Sequence, residues 1–264
     1  MKKFVAILFL LQSIMAFAQP KVVAHRGCRN EDESRYENTI ASLKYAQSCG
    51  VDAVEFDLQL TADEKIIVFH GPILPGTNTN VQSITYKEAR SFKLPGGHNL
   101  PTLEEWFIQA KKHKEVTIIL EFKAQKTKER ETKMVEQAMA LAKSMNMGKQ
   151  LEYTTFSEWM AAEIHRIDPA AKVLFLKSGI IVPDAEYARS KGYNAISYDL
   201  SGFMNNPQIV DQARALGIET TLWIANDFEL YDWAYRHGVD YISTDHPAAM
   251  VKYAEAVRAM RKAK

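Results

Sequence analysis

Cysteine is scarce in this chain: two thiols, Cys28 and Cys49, among 264 residues. A disulfide framework of the kind that staples small exported domains is therefore excluded. The helix expected between the two cysteines is about 18 Å long at 1.5 Å per residue, whereas a bridge needs Cα atoms within about 7 Å, so both thiols are expected to be free. Net charge is also scarce. Thirty-three basic residues face 32 acidic ones, a formal +1, which gives no electrostatic footing for nucleic acid. No G-x-G-x-x-G loop follows the first expected strand, so a dinucleotide-binding, doubly wound sheet loses its signature. Internal repeats, low-complexity tracts and interdomain linkers are missing as well.

Only one apolar stretch stands out, at the N-terminus. Lys2 and Lys3 precede the apolar run Phe4 to Met15, followed by Ala16-Phe17-Ala18. A positive start, a short greasy middle and a small-x-small site have the layout of a secretory signal peptide. The run is too short for a stable membrane span. Residues 1–18 are thus expected to be removed, leaving residues 19–264 as one domain that is exported, periplasmic or secreted. Losing Lys2 and Lys3 takes the formal charge from +1 to −1.

Beyond the leader, strand and helix patterns alternate to the end. Apolar, β-rich runs occur at 21–25, 53–58, 116–122, 151–155, 172–176, 194–198, 219–224 and 239–243. Helical patterns follow them at 37–48, 102–113, 128–146, 157–167, 184–191, 207–216, 227–237 and 247–262. Eight such units predict an α/β chain closed into a (β/α)₈ TIM barrel. Gly192, Gly217 and Gly238 fall between a helix and the next strand, where a left-handed cap is wanted. One segment breaks the rhythm. Gln59 to His70 reads as a hairpin, which returns His70 towards the end of the second strand. Residues 71–100, rich in Gly and Pro, read as a long irregular stretch. Together they predict a small insertion after strand 2, over the barrel mouth.

In such a barrel, chemistry sits at the C-terminal strand ends. His25, Arg26 and Gly27 end the first strand. Glu55 and Asp57, at i and i+2, share one face of the second, and Glu121 and Lys123 repeat that spacing at the end of the third. His70 comes off the hairpin. Trp223 and Asn226 lie at the end of the seventh strand, and Asp245 and His246 follow the eighth. Three acids at one spot repel unless a cation joins them, and oxygen ligands suit a hard ion, Ca²⁺ or Mg²⁺. Arg26 and Lys123 can grip an anion. Two histidines can trade protons near neutral pH. The set suits attack on a phosphodiester. A glycosidase needs only a carboxylate pair and leaves the cations and histidines unexplained.

The ordered motifs Ala24-His25-Arg26-Gly27, Glu37-Asn38-Thr39, Val54-Glu55-Phe56-Asp57, Val68-Phe69-His70, Leu100-Pro101-Thr102-Leu103-Glu104-Glu105, Leu120-Glu121-Phe122-Lys123, Trp223 and Gly238-Val239-Asp240 through Thr244-Asp245-His246-Pro247 resemble the glycerophosphodiester phosphodiesterase family over nearly the whole mature chain. The resemblance implies a (β/α)₈ barrel and a metal-dependent hydrolase of small glycerophosphodiesters. Glu55, Asp57 and Glu121 would hold one divalent cation, and His25 and His70 would be the acid/base pair. Arg26, Asn38, Lys123 and Trp223 would contact substrate. The products would be glycerol 3-phosphate and an alcohol. Three positions depart from the family pattern: Gly71 where an acid is usual, Tyr36 where a proline is usual, and Thr154-Thr155-Phe156 where serines are usual.

Two rival readings keep the same barrel. A phosphoinositide- or sphingomyelin-directed lipase would want an apolar, membrane-docking rim; the 71–100 loop has Ile73, Leu74, Phe92 and Leu94 but no dense aromatic cluster, which counts against it. A non-catalytic barrel could hold a phosphorylated ligand.

Overall fold

The computed structural model describes residues 17–28 and 33–262. Strands β1 (Lys21–Ala24), β2 (Ala53–Leu60), β4 (Thr117–Phe122), β5 (Leu151–Thr155), β6 (Val173–Lys177), β7 (Ala195–Asp199), β8 (Glu219–Trp223) and β9 (Tyr241–Thr244) pair in parallel, each with the next, and β9 closes on β1. This is the predicted (β/α)₈ barrel. The short strand β3 (Ile66–Val68) runs antiparallel on β2, with Leu58 opposite Val68, and forms the predicted hairpin.

The helices pack outside. In chain order they are α1 (Ile40–Ser48), α2 (Tyr86–Ser91), α3 (Leu103–Ala110), α4 (Lys128–Ser144), α5 (Glu158–Ile167), α6 (Ala185–Ser190), α7 (Leu200–Asn205), α8 (Gln208–Ala215), α9 (Phe228–His237) and α10 (Pro247–Lys262). Their buried faces and the outward strand residues make the main core, with Phe56 stacked on Trp106 at 4.5 Å between centroids. Gly192, Gly217 and Gly238 adopt positive φ at the predicted turns. No helix among the described residues is long and apolar enough to cross a membrane. Residues 1–16 of the expected leader lie outside the described residues. Phe17, ahead of the expected cleavage point, has its ring 4.3 Å from the Arg214 guanidinium.

The sequence reading and the structure differ at two places. Helix α7 begins directly after β7, because Asp199, the last residue of the strand, also caps it: its Oδ1 accepts the Gly202 N–H at 2.9 Å. The 71–100 stretch is not structureless. It carries α2, opened by a Thr85–Glu88 capping box, and a core of its own around Ile67, Phe69, Leu74, Val81, Leu94 and Leu100.

Strand periodicity positions the site. Val23, Ala53, Ile119, Leu174, Ala195 and Tyr241 form a separate apolar cluster inside the barrel. Two residues further along each strand, the side chain returns to that inner face. From Val23 this gives His25, from Ala53 Glu55 and then Asp57, and from Ile119 Glu121. The β2–β4 register sets Asp57 directly beside Glu121.

Candidate active site

A cavity of ≈ 290 Å³ opens at the C-terminal ends of the strands. His25, Arg26, Glu55, His70, Glu121, Lys123 and Trp223 line it, and Leu174, Ser197, Thr221 and Ser243 lie deeper. The expected residues other than Asn38 and Asp57 thus share one cavity wall, and Asp57 sits immediately behind it.

Glu55, Asp57 and Glu121 are all buried, and each offers an oxygen within 4.8 Å of the others. Burial is the main force on Glu55, with Asp57 and Glu121 adding to it, and it pushes the carboxyl well above its ordinary range. Burial, followed by the Asp57 charge, raises Glu121 to about 7. Burial also works against Asp57, but Lys123, His70, Arg26 and the Asn38 hydrogen bond outweigh it and hold that carboxyl at about 2. Glu55 Oε2 accepts the Arg26 N–H at 2.9 Å, while its Oε1 is buried with no hydrogen-bond partner among the described residues. Three clustered acids, two of them reluctant to ionise and two, Glu55 and Asp57, with a buried oxygen that has no hydrogen-bond partner among the described residues, form an all-oxygen donor set that fits a hard divalent cation.

The basic residues sit against these acids. Lys123 Nζ lies 2.7 Å from Glu121 Oε1 and 3.2 Å from Asp57 Oδ1. Arg26 donates to Glu37 at 3.0 Å, and its Nε lies 3.6 Å from Asp57 Oδ2. Arg26 adopts φ 54°, and Gly27 follows at φ 80°. A Cβ on Gly27 would stand 2.5 Å from Ser42 Oγ, so glycine is required for this turn to lie against α1.

His70 is fixed by its backbone. The Phe69 N–H donates to the Asp57 carbonyl at 3.0 Å, and Gln59 Nε2 donates to the His70 carbonyl at 2.9 Å. Burial lowers the His70 imidazole to about 4. Asp57 resists this, and Lys123, Arg26 and His25 reinforce it. At neutral pH the ring is therefore uncharged and able to accept a proton.

Asn38 stands elsewhere than expected. It is completely buried and absent from the cavity wall. Its amide clamps Asp57 from behind, Nδ2 donating to Oδ2 at 2.7 Å and Oδ1 accepting the Asp57 N–H at 3.0 Å. Trp223 meets Phe156 edge to face, centroids 6.0 Å apart, at the outer side of the cavity. Phe156 is one of the departures from the family pattern, and it lines the cavity too.

Two polar residues were placed at strand ends by the sequence but given no role there. Asp245 accepts from His25, and Asn226 holds Asp245. Their signal was position alone, a polar pair following two adjacent strands.

Comparison with known proteins gives a consistent picture. The model of the glycerophosphoryl diester phosphodiesterase family matches residues 25–249. A glycerophosphodiester phosphodiesterase of Caldanaerobacter subterraneus subsp. tengcongensis is 25% identical over 243 residues, covering 87% of this chain and 96% of its own. The crystal structure of a glycerophosphodiester phosphodiesterase from Parabacteroides distasonis is 30% identical with a TM-score of 0.84, covering 91% of this chain and 98% of that one. A phosphodiesterase of Oleispira antarctica, solved in complex with the product sn-glycerol-3-phosphate, shares the fold at a TM-score of 0.80 and 21% identity, covering 90% of this chain and 97% of its own.

Proposed function

Because the chain belongs to the glycerophosphoryl diester phosphodiesterase family, we propose that it hydrolyses glycerophosphodiesters to glycerol 3-phosphate and an alcohol, with a divalent cation at Glu55, Asp57 and Glu121. The observation that carries this reading is the convergence of three buried carboxylates, two histidines and two cations on one cavity of ≈ 290 Å³. That volume suits a small diester. The product bound in the Oleispira antarctica structure supports the choice of products.

The residues divide the work. Arg26 and Lys123 hold the phosphate oxygens by charge. A bound Ca²⁺ or Mg²⁺ would supply further polarisation of the phosphoryl group. One histidine removes the proton from the nucleophile, either water or the substrate's own neighbouring hydroxyl (the latter giving a cyclic phosphate that water then opens), as its oxygen bonds to phosphorus. The bond from phosphorus to the alcohol oxygen breaks, and the other histidine returns a proton to that oxygen. Asn38 takes no part in phosphate contact on this reading; it keeps Asp57 aimed. Trp223 walls the organic part of the substrate. Export of the mature chain, residues 19–264, belongs to the same proposal and rests on the leader pattern alone.

The direct test is incubation of the purified chain with glycerophosphocholine and Ca²⁺, Mg²⁺ or EDTA, with glycerol 3-phosphate assayed as product. Release that needs an added ion and disappears with EDTA and in Glu55→Ala is the expected result. No release with either ion overturns the reading.

A second substrate reading is favoured by one feature. Beyond Trp223 and Ile224 an open groove of ≈ 560 Å³ continues from the cavity, lined by Leu200 and Met204. Ile180 and Ile181, in the neighbouring loop, are 62% and 89% exposed. Such a groove suits a diester that carries one long hydrocarbon chain. These exposed apolar residues lie after β6 and β7, across the barrel mouth from the 71–100 loop.

A further inference from the structure

We propose that Asp245 and Asn226 form a relay that positions His25, fixing which of its ring nitrogens faces the cavity. The inference rests on the proposed role of His25 as a proton carrier. The relay is assembled by barrel closure. His25 follows β1, Asp245 follows β9 and Asn226 follows β8, three neighbouring strands. The His25 N–H donates to the Thr244 carbonyl at 2.9 Å, which locks the backbone of the two loops together.

The side chains then form a chain of hydrogen bonds. His25 Nδ1 lies 2.7 Å from Asp245 Oδ1. The second carboxylate oxygen, Oδ2, accepts from Asn226 Nδ2 at 3.0 Å. Asn226 cannot turn over, because its Oδ1 accepts the Asp245 N–H at 2.9 Å and the Thr244 hydroxyl at 3.2 Å. A carboxylate can only accept, so the proton between Asp245 and the ring belongs to Nδ1. The opposite nitrogen, Nε2, lies 4.0 Å from Glu55 Oε2, on the cavity side. Asp245 is 8% exposed, so little water competes for these bonds. The arrangement leaves Nε2 as the atom that exchanges protons with substrate. Asp245 bonds the His25 ring and Asn226 and is not among the residues that line the cavity, so it is a positioning residue.

The relay makes an unusual prediction for Asp245→Asn. Asn226 presents an NH₂ to the Oδ2 position and demands an oxygen there. The new amide must therefore turn its own NH₂ towards His25 Nδ1. A donor at Nδ1 drives the ring proton to Nε2, the wrong tautomer. Exchanging the partners, Asn226→Asp with Asp245→Asn, reverses the demand. The carboxylate then standing at position 226 accepts the amide NH₂ from position 245 and still accepts the backbone N–H there. The oxygen of that amide returns to face Nδ1.

The experiment combines kinetics with nitrogen NMR of ¹⁵N-histidine-labelled protein, at a pH where the His25 ring is neutral, and His25→Gln assigns the signals. The wild type is expected to carry the proton on Nδ1. Asp245→Asn is expected to move it to Nε2 and to lower kcat on glycerophosphocholine by about 10²–10⁴-fold, the scale of a lost or misoriented proton carrier, with KM nearly unchanged. The exchanged pair is expected to restore the Nδ1 proton and at least tenfold of the lost kcat, a recovery that a packing defect would not produce. An unmoved tautomer in Asp245→Asn, or a folded exchanged pair that keeps the Nε2 proton, overturns the proposal. Should Asp245→Asn alone fail to fold, the exchanged pair carries the test by the same two readouts. Should the wild type hydrolyse no glycerophosphodiester, the activity reading falls, and the tautomer measurement still decides the relay.

Discussion

Asn38 grips Asp57 by both ends of its amide, donating to the carboxylate at 2.7 Å and accepting the backbone N–H of the same residue at 3.0 Å. It does so from φ 59°, a left-handed conformation that asparagine tolerates better than most residues. The Asn38 N–H also bonds the Arg26 carbonyl at 2.9 Å. One residue therefore ties the turn after β1 to the acid on β2.

Replacing Asn38 by alanine strands a buried N–H and a buried carboxylate oxygen, and keeps a side chain at positive φ. The expected cost is about 2–3 kcal/mol, or about 5–10 °C in Tm for a chain of this size. Calorimetry reads it directly. Divalent-ion affinity should fall with it, because Asp57 loses its aim. A variant with wild-type Tm and wild-type ion affinity would remove Asn38 from the site.

Metal and pH are linked in a definite direction. Burial raises Glu55 well above its ordinary range and Glu121 to about 7 in the metal-free protein. A carboxyl whose folded pKa is raised binds protons on folding. Its contribution is complete below the unfolded value, about 4.3, and is lost as pH rises through the folded one. Asp57, held at about 2, has the opposite sign, but its contribution changes only below about pH 4. The metal-free Tm should therefore fall between about pH 5.5 and pH 8. A divalent cation, which needs the acids ionised, should raise Tm more at pH 8 than at pH 5.5. Thermal scans with and without EDTA give the comparison, and an equal or larger gain at pH 5.5 would contradict the ion site.

The histidines should separate stability from chemistry. His25→Ala and His70→Ala are each expected to lower kcat by about 10²–10⁴-fold while the protein stays folded by circular dichroism. His70, held near 4 chiefly by burial, is neutral across the physiological range. Turnover near that of the wild type in either variant defeats the assignment.

The barrel was legible because its strands and helices obey two different periods, and because the i, i+2 acids on β2 and β4 can face only one way. His70 was legible for the same reason, since a hairpin must return its end beside its start. Asn38 is recognisable as a motif residue, but its target is hidden: its own left-handed backbone, at φ 59°, accompanies an amide set against Asp57. The pairing of Asn226 with Asp245 was hidden in another way. Strand order puts the two residues at neighbouring strand ends, but the side-chain geometry that sets Asn226 Nδ2 3.0 Å from Asp245 Oδ2 is encoded in no strand pattern. Helix α7 escaped because Asp199 ends β7 and caps the helix at once, with no turn residues between them.

The groove beyond Trp223 decides between the two substrate readings. Asp199 holds it open. Its carboxylate accepts from Ser178 at 2.7 Å, from the Gly179 N–H at 3.1 Å and from the Gly202 N–H at 2.9 Å, tying the loop after β6 to α7. Asn206 adds a bond to the Ile180 carbonyl at 3.0 Å. Ile180 and Ile181 are thus presented to solvent on a backbone tied to α7, and Met204 lines the groove together with Trp223 and Ile224. If a substrate chain lies there, each buried CH₂ contributes about 0.8 kcal/mol, so KM should drop about three- to fourfold per added CH₂ until the groove is filled. A series of monoacyl glycerophosphocholines of increasing length, each below its micelle concentration, tests this against glycerophosphocholine. Met204→Asp should raise KM for the longer chains about tenfold or more and leave glycerophosphocholine untouched, because a carboxylate in the groove must be desolvated only when a chain covers it. A KM that ignores chain length, in the wild type and the variant alike, would leave the small diester as the substrate.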